Sequence, residues 1–265
     1  MKNKTVRLTE SAVMLALATV LSVLPILELP YGGSITVCSM LPVCLIAYRH
    51  GTPWGLFTGA VYGLLQMFLG MKNVLYFSTP LSVVAVILLD YILAFAAMGL
   101  AGCFRKVCKK QVSAVFLGTL LACCVRYALH VIGGVTVWAG FSIPTEASLL
   151  YSLAYNATYM LPETIVLLLG ISLVASMLDF GNDTVGRVAA AGGKFDWLAA
   201  GAGLCIVATL VVDVREIFSH LQDAETGDFV ITGLSQANWG LLGIVTAIGT
   251  VITVALLIIR HSRKR

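Results

Sequence analysis

Charge is what this chain most lacks. Asp, Glu, Lys and Arg make up 11% of its 265 residues, less than half the roughly one quarter found in soluble domains. That shortfall excludes an ordinary water-facing globule. Proline is also scarce, at seven residues, so long helices can run with few breaks. Short segments of alternating apolar and polar residues are missing, which excludes a membrane β-barrel. The seven cysteines (Cys38, Cys44, Cys103, Cys108, Cys123, Cys124 and Cys205) nearly all fall in apolar runs or on one loop. None has a second pair or a His pair at zinc spacing, so they read as small packing residues. The chain has no HExxH, no GxSxG, no Walker phosphate loop and no nucleophile beside a base. Without these, no covalent chemistry, metal, cofactor or nucleic-acid partner is expected.

What is present is hydrocarbon. Hydrophobic residues make up 59% of the sequence, and mean hydropathy is +0.95. Apolar runs recur, many near the ~20 residues that cross a bilayer. The pattern predicts an all-α polytopic membrane protein with eight spans at about 9–28, 35–48, 54–70, 78–103, 112–133, 148–178, 196–214 and 239–259. The first run follows Lys2, Lys4 and Arg7 but is long and lacks a small-residue cleavage pattern. It reads as helix 1 and not as a signal peptide.

Five basic clusters set the orientation: Lys2–Arg7, Arg49, Arg105–Lys110, Arg187–Lys194 and Arg260–Arg265. With eight spans all five share one side, which makes both termini cytoplasmic. The Gly- and Ala-rich stretch GRVAAAGGK, from Gly186 to Lys194, marks a boundary. It divides the chain into a six-helix domain at 1–185, a linker at 186–195 and a further hairpin with a basic tail at 196–265. No internal or inverted repeat is visible.

Few ionisable groups of the six-helix part lie deep in a span: Asp90 in helix 4, Arg126 and His130 in helix 5, and Glu163 in helix 6. Such groups in lipid are costly and normally face a protein interior or a ligand. Arg126 and His130 are four apart and share a helix face. Asp90 and Glu163 are both available as charge partners for Arg126. The plainer alternative is an ion pair that locks the bundle. Tyr151, Tyr155 and Tyr159 form a stripe on helix 6, beside Asn156 and Glu163. Trp138 follows helix 5. A lone Trp or Tyr at this depth is usually an interfacial anchor. That reading leaves Asn156, His130 and Glu163, at successive depths, without a reason.

Together these groups predict an outward-opening cavity with polar and aromatic walls. The loop LELPYGGSIT, from Leu27 to Thr36, is either a lid with Tyr31 pointing in or a plain interhelical turn. Carboxylates beside stacked aromatics favour a flat, partly cationic ligand. Two other readings compete. One is an intramembrane enzyme using His130, Asp90 and Glu163 as acid–base or metal groups, although no HxxxH or ExxH spacing supports it. The other treats the polar groups as glue for the bundle. On helix 1, Ala12 and Ala16 form a small-xxx-small face of the kind that lets helices approach closely.

Taken together, Ala12-xxx-Ala16, LPYGGSIT, LLDYILAF (Leu88 to Phe95), RYALHVIGGVTVW (Arg126 to Trp138) and YSLAYNATYMLPE (Tyr151 to Glu163) resemble a known family. It is that of the S components of energy-coupling-factor vitamin transporters, and the likeness is strongest to the thiamine-specific branch. The resemblance covers about residues 8–180 and is carried most specifically by the last two motifs. It implies a six-helix S-component bundle that binds thiamine near its outer face and hydrolyses nothing. It also implies substrate contacts at His130, Trp138, Tyr151 and Asn156, an acidic-aromatic pair at Asp90 and Tyr91, and a loop aromatic at Tyr31. Glu163 follows the matched motif and joins the site by inference. The resemblance further implies docking through Ala12 and Ala16 onto a membrane T component that carries two cytosolic ATPases. Helices 7 and 8 lie outside it.

Overall fold

Backbone N–H and C=O groups cannot be left open in hydrocarbon, so a chain this apolar is driven into long helices. The computed structural model describes residues 4–29, 32–139, 147–181, 184–188, 196–221 and 229–263. The chain begins with helix α1 (Lys4–Ser22), then an antiparallel hairpin of β1 (Pro25–Glu28) and β2 (Ser34–Thr36). Helices α2 (Leu41–His50), α3 (Thr52–Leu69), α4 (Pro80–Lys106), α5 (Gln111–Trp138) and α6 (Ser148–Met177) follow. A short strand pair, β3 (Leu178–Asp179) and β4 (Gly186–Arg187), precedes α7 (Trp197–Leu221) and α8 (Trp239–Arg263).

Among the described residues, six helices are long and apolar enough to cross a membrane: α1 and α4 to α8. The two short spans expected at 35–48 and 54–70 are not in that set. The first of them is not one helix. Its start forms β2, Cys38 turns the chain at a φ of 57°, and only Leu41–His50 is helical. Every residue of α2 from Pro42 to Arg49 is buried, as expected of a helix that is apolar on all sides.

The chain divides into two compact units, 1–188 and 189–265. In the first, a row of glycines one turn apart on α3 (Gly55, Gly59 and Gly63) sets the packing. A Cβ on Gly59 would collide with the Phe95 carbonyl, and one on Gly63 with the Tyr91 carbonyl. From the other side, Gly99 of α4 abuts the Leu56 backbone. Helices α3 and α4 therefore meet backbone to backbone, the arrangement that small residues permit in membranes. Tyr62 is fully buried and packs edge-on to Phe95, with ring centres 5.2 Å apart.

An ionic knot closes one end of this unit. Glu10 accepts from Arg49 Nε at 2.7 Å and Nη2 at 2.6 Å, and lies 2.8 Å from His50 Nε2. Arg105 donates to the Arg49 carbonyl at 2.8 Å. Gln111 donates to the Ala175 and Leu178 carbonyls and accepts from the Phe180 N–H. These bonds gather the start of α1 and α5 and the ends of α2, α4 and α6.

In the second unit α7 and α8 form a hairpin. Arg260 donates to Asp196 at 2.6 Å and Thr246 to Asp213 at 2.8 Å. Gly249 lets α8 close onto Thr209.

Candidate functional site

Two stretches of widened helix carry the centre of the site. Ile87–Leu93 of α4 and Gly134–Trp138 of α5 are both π-helical. A π turn adds a residue and re-aims the side chains around it, and such turns recur at functional sites. The first holds Asp90 and Tyr91, and the second ends on Trp138.

Asp90 is the hub. Its Oδ2 accepts from Trp138 Nε1 at 2.8 Å, and its Oδ1 lies 3.2 Å from His130 Nδ1. A carboxylate only accepts, so the His130 proton belongs on Nδ1. In the neutral ring, Nε2 then presents a lone pair. That atom is buried and has no partner among the described residues. Gly133 makes room for this arrangement, because a Cβ there would sit 2.6 Å from Asp90 Oδ1. Trp138 is itself buried and meets Phe77 edge-on at 4.8 Å and Tyr76 at 6.5 Å. Tyr91 donates to the Gly70 carbonyl at 3.1 Å, and its hydroxyl lies 3.5 Å from Asn73 Nδ2.

Helix α6 forms the facing wall. Asn156 is buried, donates to the Ser152 carbonyl at 2.9 Å and accepts from the Tyr159 hydroxyl at 2.7 Å. Ser152 donates to the Val131 carbonyl at 3.1 Å, which fixes α6 against α5 beside His130. Tyr151 is half-buried against the core. The hairpin reaches the same wall: the Gly33 N–H donates to the Tyr155 hydroxyl at 3.2 Å.

The four ionisable groups sort into two pairs. Arg126 donates to Glu163 Oε2 at 2.8 Å, with both side chains buried, and its guanidinium stands 4.9 Å from the Phe95 ring centre. Glu163 Oε1 accepts from Thr36 at 2.8 Å. Of the two carboxylates offered by the sequence, Arg126 takes Glu163, and Asp90 goes to His130 and Trp138. His130, Asp90 and Glu163 thus do not converge as one acid–base set, and no group of three metal-ligating side chains occurs among the described residues.

Tyr31 lies outside the described residues. Ala12 and Ala16 are exposed on α1 beside Val13, Leu17 and Val20, while Ser11 and Ala18 face inward. The sequence reading passed over Gly133, Phe77, Ser152, Asn73, Thr36 and Ser39. A glycine within a helical run was a usable signal for Gly133, since it is destabilising there unless packing or function requires it.

Comparison with known proteins identifies the family of the chain. Residues 8–179 match the family model described as thiamine transporter protein. The thiamine transporter ThiT of Bacillus subtilis is 40% identical over 176 residues, which is 61% of this chain and 85% of that protein. The ThiT of Lacticaseibacillus paracasei is 26% identical over 186 residues, 63% of this chain and 86% of that protein. The solved structure of ThiT from Listeria monocytogenes superposes with a TM-score of 0.52 at 27% identity, covering 65% of this chain and 94% of its own. Helices α7 and α8 fall beyond the matched region. On these grounds the chain is a multi-pass membrane protein that belongs to the thiamine transporter family.

Proposed function

We propose that this chain captures thiamine from outside the cell as the S component of an energy-coupling-factor importer. The observation that carries this reading is Asp90 bridging His130 and Trp138. It sets a carboxylate, an indole and a free imidazole lone pair side by side. Thiamine is a flat molecule with a permanently cationic ring and an aminopyrimidine. The carboxylate offsets the ring charge, the indole face stabilises it through cation–π attraction, and His130 Nε2 accepts from an N–H donor. Tyr151 and Asn156 approach from α6, with Tyr91 beside Asp90, and Tyr31 joins the set as a further aromatic contact.

The chain itself catalyses nothing in this scheme. It crosses the cell membrane eight times, with α2 and α3 completing the set, and both termini are cytoplasmic. Supporting that orientation, Arg49 and Arg105 meet at the same end as the start of α1. The six-helix part, 1–185, binds substrate, and the linker at 186–195 joins it to the added hairpin. The exposed Ala12 and Ala16 dock on a T component that carries two ATPases, the kind of close helix contact that small residues permit.

The test is a titration of the purified full-length chain with thiamine, read by tryptophan fluorescence, with riboflavin and a hydroxymethylpyrimidine as comparators. Saturable quenching by thiamine that disappears in Trp138→Phe supports the reading. Binding of a comparator with no response to thiamine would reassign the substrate within the same transporter class.

A further inference from the structure

The deep ion pair of Arg126 and Glu163 ties α5 to α6. Its neighbours give it another role. One face of α6 carries Tyr155, Tyr159, Glu163, Val166 and Gly170, and the strand leaving the hairpin runs along it. Gly33 donates to Tyr155 and rests against the Tyr159 ring. Thr36 donates to Glu163 at 2.8 Å. The Cys38 thiol points to the Val166 carbonyl at 3.4 Å and packs on Gly170. Most of these contacts are weak or purely steric. Thr36–Glu163 is the strong one, because its acceptor is a buried carboxylate held by the Arg126 guanidinium.

Thr36 has a single hydroxyl proton, and Glu163 takes it. Ser39 Oγ, 2.7 Å from Thr36 Oγ1, then supplies its own proton to Thr36. Arg126 completes the chain by holding the other oxygen of Glu163. The hairpin that these groups secure also touches the site. Gly32 rests on Asn73, whose amide reaches the Tyr91 hydroxyl. Tyr159, beneath Gly33, orients Asn156.

Resting on the thiamine-binding reading above, we propose that Glu163, fixed by Arg126, is a positioning residue that latches the β1–β2 hairpin onto α6 through the Thr36 hydroxyl and so sets how fast ligand leaves. Ligand escape past the hairpin requires the Thr36–Glu163 bond to open, and Arg126 keeps Glu163 aimed for it to re-form.

Two measurements on the full-length chain test this. The first is thiamine dissociation by rapid mixing for Thr36→Val and Thr36→Ser. Valine keeps the shape and removes the hydroxyl, whereas serine keeps the hydroxyl. Thr36→Val is expected to release thiamine about ten-fold faster, and Thr36→Ser at close to the parental rate. The second is hydrogen exchange of ligand-free protein. Thr36→Val is expected to raise exchange in the two strands, 25–28 and 34–36, and leave α3 and α4 unchanged. Parental dissociation in Thr36→Val overturns the proposal, as does equal acceleration in both variants. If the parental chain binds no thiamine, the functional reading fails and the exchange measurement alone decides the latch: unchanged hairpin exchange in Thr36→Val overturns it.

Discussion

Asp90 and Trp138 meet through a 2.8 Å hydrogen bond, and each is delivered by its own π-helical stretch. Neither side chain would be aimed the same way by a regular α-helix, where an added residue does not shift the register. The bond fixes the indole, and the other carboxylate oxygen fixes His130. Replacing Asp90 with Asn tests both effects. The amide offers one acceptor and one donor where two acceptors stood, so either Trp138 or His130 loses its partner. If His130 is the one affected, its proton moves to Nε2 and the free lone pair is gone. Thiamine binding is expected to weaken by about 1.5–3 kcal/mol, roughly ten- to hundred-fold. Calorimetric titration of the purified variant checks this, and an unchanged dissociation constant would exclude Asp90 from the site.

Gly133 gives a finer test of the same hub. An Ala Cβ would press on Asp90 Oδ1 at 2.6 Å, yet Ala favours helix over Gly by about 1 kcal/mol. Affinity and stability should therefore part company in Gly133→Ala. The expected result is weaker thiamine binding with a melting temperature no lower than that of the parent. A fall in both would show that the glycine serves packing alone.

The glycine row on α3 predicts a stability effect without a direct ligand effect. Gly59→Val drives a branched side chain into the Phe95 backbone. A loss at or above the upper end of the ~1–3 kcal/mol typical of overpacking is expected. Gly203 in α7 is the control, since a Cβ there meets nothing within 4 Å. Gly203→Ala should be neutral or stabilising by up to about 1 kcal/mol. Thermal unfolding in detergent compares the two directly.

The class of fold and many members of the candidate site were legible because both rest on strong, local signals. Long apolar runs announce helices, and polar or aromatic groups inside them call for a protein or ligand partner, so Asp90, His130, Trp138 and Asn156 could be named as candidates before any geometry was known. What was not legible depends on the third dimension. Asp90 and Glu163 are equivalent candidates for Arg126 in a list of residues. Only the widening of α4 at Ile87–Leu93 turns Asp90 toward His130. Nothing in local composition marks a π turn. The helix expected from residue 35 begins only at Leu41, a difference hidden because the stretch is continuously apolar. The break at Cys38 is a single residue with positive φ, and periodicity does not register it. Thr36 and Ser39 carry no periodic signal, and their role comes entirely from lying opposite Glu163.

The Arg126–Glu163 pair separates two kinds of energy. Arg126→Met leaves Glu163 buried with Thr36 as its one remaining described partner, a loss expected to cost about 3–5 kcal/mol. In the double variant Arg126→Met with Glu163→Met, the buried charge is gone on both sides, and most of that stability should return. Unfolding measurements on the two single variants and the double variant yield the coupling directly. The double variant still lacks the acceptor for Thr36, so its thiamine dissociation should remain fast even where its melting temperature recovers. Recovery of both would assign the pair to scaffold alone.

Helices α7 and α8 lie beyond the region shared with the thiamine transporters, which ends at residue 179. Their polar bonds, Arg260 to Asp196 and Thr246 to Asp213, are internal to the hairpin. The described contacts of Asp90, His130, Trp138 and Asn156 all fall within the first unit. A chain ending at Val188, the last residue of that unit, retains every one of those groups. It is therefore expected to bind thiamine with the affinity of the full chain. Calorimetric titration of the two forms side by side checks this. A large loss of affinity in the shortened chain, with its melting temperature intact, would mean that the hairpin contributes to the site.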